Sequence, residues 1–142
     1  MISAAAVAEV LGGLGRRKAS VTDLALADAV RDGLPVSALD RLIAGGVVSE
    51  QEMEAHFIPR RTLYARRQKG TLSREQSDLV VRLARIQAMA DDVFGDRVKS
   101  HRWLRDKNGA LGSQTPLALL DTEEGGRVVE AVLGRIAHGI VE

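Results

Sequence analysis

Apolar residues recur along this chain at intervals of three and four, and turn-forming residues interrupt them often enough to mark short helices. Thr22 and Asp23 can cap a helix carrying Leu24, Ala27 and Val30 that stops at Gly33. Ser37 can cap a second, with Leu39, Leu42 and Ile43, that stops at Gly45 and Gly46. Ser49 opens a third, "SEQEMEAHF", whose Glu50 and Glu52 suit the positive end of a helix. A fourth begins at Ile58-Pro59, since proline is tolerated in the first turn, and runs through "RRTLYARRQ" to Gly70. Ser73 with Gln76 forms a capping box for the longest helix, striped by Leu79, Leu83, Ile86, Ala90, Val93 and Phe94.

Beyond Gly95 the elements shorten. Asp96 caps "RVKSHRWLRDK", Thr115-Pro116 opens a brief "PLALL", and Asp121 with Glu124 can box the start of a last helix. That helix carries Val129, Val132, Leu133 and Ile136 on one face and ends at Gly139. Gly125 and Gly126 near its start each cost roughly 0.5–1 kcal/mol against alanine in a helix interior, which implies a close approach there. No alternating strand pattern and no internal repeat is present, so the expected fold class is all-α. Residues 1–19 are small and Gly-rich, with Arg16, Arg17 and Lys18, and are expected to form a flexible N-terminal arm with room for one short helix.

Composition narrows the function classes. The 142 residues, 45% of them hydrophobic, suffice for one domain or two small ones with a core. There is no apolar run near membrane-spanning length and no secretory-signal order at the start, and the absence of cysteine excludes disulfides and thiolate metal sites, so a cytoplasmic protein away from membranes is expected. His56, His101 and His138 are too scattered to point to a metal site, "GGLG" lacks the rest of a dinucleotide fingerprint, and no nucleophile–base or carboxylate pair stands out. The expectation is a protein that is not an enzyme and holds no cofactor.

The formal net charge is only +1, but the charges are segregated. Acids dominate from Asp23 to Glu54 and again after Asp121, whereas "IPRRTLYARRQKG" carries Arg60, Arg61, Arg66, Arg67 and Lys69 with no acid. One short helix, a tight turn and an Arg-rich second helix reproduce a helix-turn-helix layout, in which the second helix enters the major groove with its N-terminal residues leading. Arg60, Arg61, Thr62, Tyr64, Arg66 and Arg67 are therefore the candidate DNA-contacting residues, with arginine suited to paired hydrogen bonds with guanine and to phosphate. The alternative is a plain solvated helix face. Trp103, the one tryptophan, is expected to anchor a local core with Leu104, Phe94 and Leu111.

The order "VFGDRVKSHRWLRDKNGALGSQTPLALLDTEEGGRVVEAVLGRIAHG" resembles the toxin-binding domain of the Xre/MbcA/ParS antitoxins. The shared landmarks are Phe94-Gly95, Trp103-Leu104, Asn108, Leu111-Gly112, Thr115-Pro116, Leu119-Leu120-Asp121, Gly125 and a last helix with Val129, Leu133, Ile136 and Gly139. "PRRTLYARRQKGTLSREQSDLVVRLARI" is similar to the second half of the same family's helix-turn-helix domain. The chain departs from the family at Val141, where an aromatic is usual, and at Gly126, where alanine is more common.

The resemblance implies a helix-turn-helix domain over residues 20–88 and a toxin-binding domain over residues 89–142. It implies a type II antitoxin that binds a cognate toxin, commonly of the NAD-degrading RES type, and represses its own operon by binding operator DNA. A homodimer within a larger toxin–antitoxin complex is expected because paired half-sites are how a small helix-turn-helix usually obtains affinity. It further implies that the C-terminal end enters the toxin's active-site cleft, which assigns toxin contacts to Gly139, Ile140, Val141 and Glu142, with Arg127 and Arg135 in support. Two other readings fit the same residues: a stand-alone helix-turn-helix regulator with a C-terminal protein-interaction domain, and a structural adaptor.

Overall fold

Side-chain caps start most of the helices where local sequence places them. The computed structural model describes residues 2–15 and 21–139, and among them has eight α-helices, three short 3-10 turns and no β-strand. The chain divides into two compact units, Met1–Arg85 and Ile86–Glu142, with the division inside the longest helix.

The first unit contains α1 (Ala4–Val10), α2 (Asp23–Asp32), α3 (Val36–Ala44), α4 (Glu50–His56), α5 (Arg60–Lys69) and the first half of α6 (Arg74–Phe94). Thr22 caps α2 by accepting the Ala25 N–H at 3.0 Å, and Ser73 and Gln76 exchange both bonds of a capping box at the start of α6. At α3 the expected cap fails: the helix begins two residues earlier, behind Pro35, and Ser37 lies inside it. The face of α2 also differs from the expected one. Leu26 and Val30 are buried and Leu24 is 71% exposed, because both sets of residues have helical spacing and only the position of the neighbouring core selects between them.

The one short helix allowed for in the N-terminal arm forms over Ala4–Val10, and this part is packed rather than flexible. Ser3 caps α1 by accepting the Ala6 N–H at 3.1 Å, and Val7, Ala8 and Leu11 are fully buried, with α1 packed on α2. A seven-residue helix is not stable alone in water, so this one is held by that burial. Arg16, Arg17 and Lys18 lie outside the described residues.

Two chain junctions cross in this unit. Leu72 N–H donates to the Leu34 carbonyl at 2.8 Å and Val36 N–H to the Gly70 carbonyl at 3.0 Å, so the link from α2 to α3 lies beside the link from α5 to α6. The fully buried Ser77 hydroxyl locks the crossing by accepting the Leu34 N–H at 2.8 Å and donating to the Ser73 carbonyl at 2.7 Å. Gly33 is required there: its φ is +91°, and a Cβ would stand 2.6 Å from the Leu72 carbonyl oxygen.

The second unit contains the end of α6, α7 (Arg97–Arg105) and α8 (Glu123–Ala137), with turns at Gly109–Leu111 and Ala118–Asp121. Asp96 caps α7 as expected, accepting the Val98 N–H at 2.9 Å. The last helix is capped by Thr122, which accepts the Gly125 N–H at 2.9 Å, and not by Asp121, which completes the preceding turn. A partly buried polar cluster joins α6 to α7: the Asp91 carboxylate accepts from Gln87 Nε2 at 2.9 Å, from the Ser100 hydroxyl and from Arg97 at 2.8 Å. Between α7 and α8 the chain is held by its own backbone, with Ser113 N–H on the Asn108 carbonyl at 2.9 Å and Leu117 N–H on the Leu104 carbonyl at 2.9 Å.

The close approach implied by the paired glycines is found at Gly125, where an added Cβ would collide with the Leu119 carbonyl, whereas at Gly134 on the same helix nothing lies within 4 Å. Gly125→Ala is therefore expected to destabilise the protein by about 1–3 kcal/mol in urea unfolding, and Gly134→Ala to stabilise it by roughly 0.5–1 kcal/mol. Equal midpoints for the two variants would contradict the packing described.

Candidate functional site

The expected helix-turn-helix forms from α4 and α5. Ser49 Oγ accepts the Glu52 N–H at 3.0 Å while the Glu52 carboxylate accepts the Ser49 N–H at 2.9 Å, fixing the start of α4. Ile58 N–H donates to the Met53 carbonyl at 2.9 Å, closing the turn, and α5 follows directly after Pro59. Gly70 ends α5 in the left-handed region, with φ of 90° and its N–H on the Arg66 carbonyl at 2.7 Å. Met53, Ile58 and Leu63 are buried, and it is Leu63 that sets the rotation of α5 about its axis.

That rotation leaves Arg60, Arg61, Thr62 and Tyr64 exposed, Tyr64 at 67%. Arg66 is half-buried, and its guanidinium reaches the Thr71 carbonyl oxygen at 3.5 Å. Arg67 turns the other way and is engaged by acidic side chains of the same unit, which the sequence reading did not foresee. Its guanidinium donates to Glu50 Oε1 at 2.6 Å and Oε2 at 3.1 Å, and to Asp40 Oδ1 at 2.8 Å and 3.2 Å, so one arginine clamps α5 to α4 and α3. The basic segment is acid-free in sequence, but in space two carboxylates from residues 27 and 17 positions away neutralise it at this point.

The electrostatics agree with the geometry. The hydrogen bond from Arg67, together with its charge, holds the Glu50 carboxyl below the usual carboxylate range against the opposing effect of burial. The same hydrogen bond, with those to Asp40, raises the Arg67 guanidinium above its ordinary value, so it stays charged.

In the second unit Leu104 is buried and Trp103 half-buried, with its ring 5.7 Å from that of Phe94 at a tilt of 42°. Leu111 is buried as well. On α8, Val129, Val132 and Leu133 are buried, and the exposed side carries Arg127, Glu130 and Arg135 together with Val128. Arg127 is exposed and pairs with Glu123 at 3.1 Å and Glu124 at 2.8 Å within its own helix. Such solvated pairs are weak, so they leave Arg127 exchangeable toward a partner. Arg135 is exposed two turns later, and Gly139 follows the helix with φ of 78°. Ile140, Val141 and Glu142 lie outside the described residues.

Sequence reasoning missed Asp40, Glu50, Gln87, Asp91 and Ser100 as structural partners. Only Gln87 and Asp91 carried a local signal, being four residues apart on a helix and hence neighbours. Among the described residues no helix is long and apolar enough to cross a membrane, and no group of three or more His, Asp or Glu is placed to hold a metal ion.

Arg67→Ala is expected to lower stability by up to about 1 kcal/mol, the scale of a solvent-accessible ion pair, in thermal or urea unfolding. Because the Glu50 pKa is depressed by folding, the stabilisation from this clamp is present above the unfolded carboxylate range and is lost as pH falls through the folded value. The stability gap between parent and Arg67→Ala should therefore close at acid pH; a gap independent of pH would rule out the clamp.

Comparison with known proteins gives the same two-part division. Residues 25–85 match the Antitoxin Xre-like helix-turn-helix domain, and residues 89–139 match the Antitoxin Xre/MbcA/ParS C-terminal toxin-binding domain. A protein named antitoxin Xre from Pseudomonas putida is 34% identical over 119 residues, covering 83% of this chain and 74% of that protein. Proteins of the same name from Yersinia enterocolitica and Photorhabdus laumondii are each 32% identical, covering 81% and 79% of this chain and 80% and 78% of theirs. With both of its domains matched in order and relatives this similar over most of their length, the chain belongs to the Xre antitoxin family.

Proposed function

We propose that this chain is the antitoxin of a type II toxin–antitoxin pair, that it neutralises a RES-type, NAD-degrading toxin, and that it represses its own operon by binding operator DNA. The observation that carries the reading is the presence on one chain of a matched toxin-binding domain and a helix-turn-helix whose second helix turns Arg60, Arg61 and Tyr64 to solvent. The protein is in this reading a cytoplasmic binding protein and not an enzyme.

On DNA, α5 enters the major groove from its N-terminal end, Arg60 and Arg61 leading, while Arg67 stays in its clamp and holds the helix at a fixed angle. Pre-setting that angle reduces the ordering cost of binding. Two chains pair so that two copies of α5 meet successive half-sites of the operator. On the toxin, Gly139 lets the chain leave the axis of α8, and Ile140, Val141 and Glu142 enter the active-site cleft. Burying the two apolar side chains stabilises the complex by about 1.5–3 kcal/mol each, and the side-chain carboxylate of Glu142 takes charge-assisted hydrogen bonds in a cleft shaped for an anionic cofactor. Arg127 and Arg135 contact the toxin from the exposed face of α8.

The two activities are expected to separate. Arg60→Ala with Arg61→Ala should abolish operator gel shifts and flatten the dependence of affinity on salt, while cells co-expressing the toxin remain protected. Unchanged operator affinity across salt concentrations would refute the role of α5. Deleting residues 140–142 should do the reverse, retaining the gel shift and losing protection; full protection by the shortened chain would refute insertion of the end.

A further inference from the structure

The rotation that Leu63 and Arg67 impose on α5 selects which side chains face outward, and the selected set is not the one the N-terminal arginines alone would indicate. At about 3.6 residues per turn, the positions opposite the buried Leu63 are Arg61, Ala65 and Gln68, with Tyr64 and Lys69 on either flank. All five are exposed, and among the described residues none of their side chains has a hydrogen-bond or ion-pair partner. The centre of this face is a methyl group between two long side chains that offer paired hydrogen bonds. The face carries no acid.

We propose that Arg61, Ala65 and Gln68 form the base-reading edge of α5, with Gln68 a specificity-determining residue for an adenine, and that Tyr64 and Lys69 hold the flanking phosphates. The inference rests on the reading of α5 as the DNA-binding helix. Its chemistry follows from the groups present. The Arg61 guanidinium matches the paired acceptors O6 and N7 of guanine, and the Gln68 amide matches the N6 donor and N7 acceptor of adenine. A short side chain at Ala65 lets the helix backbone approach the base edges and presents a methyl group to that of thymine. Arg61 and Gln68 are seven residues apart, about 10 Å along the helix, which spans about three base-pair steps of roughly 3.4 Å. Duplex DNA is the occupant the face fits, because its outward charge is wholly cationic and its one small residue lies where the closest approach falls.

The test is selection of binding sites from a randomised duplex library with the full chain, repeated with Gln68→Ala and Gln68→Arg. The parent is expected to select a guanine and, about three pairs away, an adenine. Gln68→Ala should lose about tenfold to a hundredfold in affinity for the selected duplex, and its preference at the adenine alone, with affinity for a scrambled duplex and the salt dependence unchanged. Gln68→Arg should move the preference at that pair from adenine to guanine, a change that a purely structural role would not produce. Retention of the adenine preference by Gln68→Ala, or equal loss on selected and scrambled duplexes, would overturn the proposal. Arg60→Ala with Arg61→Ala separates it from the reading beneath it: if that variant loses duplex binding while the parent shows no base preference, only the base-reading edge fails, and if it binds as the parent does, the DNA-binding role of α5 fails with it.

Discussion

Where the chain leaves α2 and where it leaves α5, two backbone segments lie side by side, joined through Leu34, Val36, Gly70 and Leu72 and closed by the buried hydroxyl of Ser77. Backbone groups buried at such a crossing must be satisfied, and each of these bonds also fixes where a helix starts. Gly33 permits the approach because no side chain fits against the Leu72 carbonyl. From this point α5 has a fixed end at Gly70, and Leu63 and Arg67 then fix its rotation. The outward face of the helix is thus a consequence of contacts made on its inward side.

Charge is used in two ways on a single helix. Arg67 is held by two carboxylates and takes part in packing, while Arg60 and Arg61 remain in solvent a turn or two away. The distinction matters for any anionic partner, since a guanidinium already bound by carboxylates must lose those bonds to make new ones, and an exposed one exchanges only water. The same contrast holds on α8 at lower cost. Among the described residues Arg127 pairs with exposed glutamates of its own first turn, contacts that are weak in solvent.

Much of the local structure was legible because its cause lies within three or four residues. Thr22, Ser49, Ser73 with Gln76, and Asp96 cap the helices they were expected to cap, and the stripe of α6 is buried at Leu79, Leu83, Ile86 and Ala90. Errors arose where two local choices were equivalent. Thr122 and Asp121 are adjacent and both able to cap, and Leu24 and Leu26 both have helical spacing with their neighbours. The first residues misled for a different reason: "AAAVAEV" is too short to persist as a helix by itself, so its order depends on a neighbouring surface that composition does not reveal.

What the sequence by itself determined is the all-α class, the order and approximate bounds of the helices, the helix-turn-helix and the family, since these depend on periodicity, caps and ordered landmarks read along the chain. Only the tertiary structure decided which side of each helix is inside and which cations are committed. Asp40 and Glu50 meet Arg67 across 27 and 17 residues of chain, a proximity that no local pattern encodes. The acid-free run of cations around Arg60 is a property of the sequence; the division of those cations between packing and solvent is a property of the fold, because it depends on where α3 and α4 deliver their carboxylates.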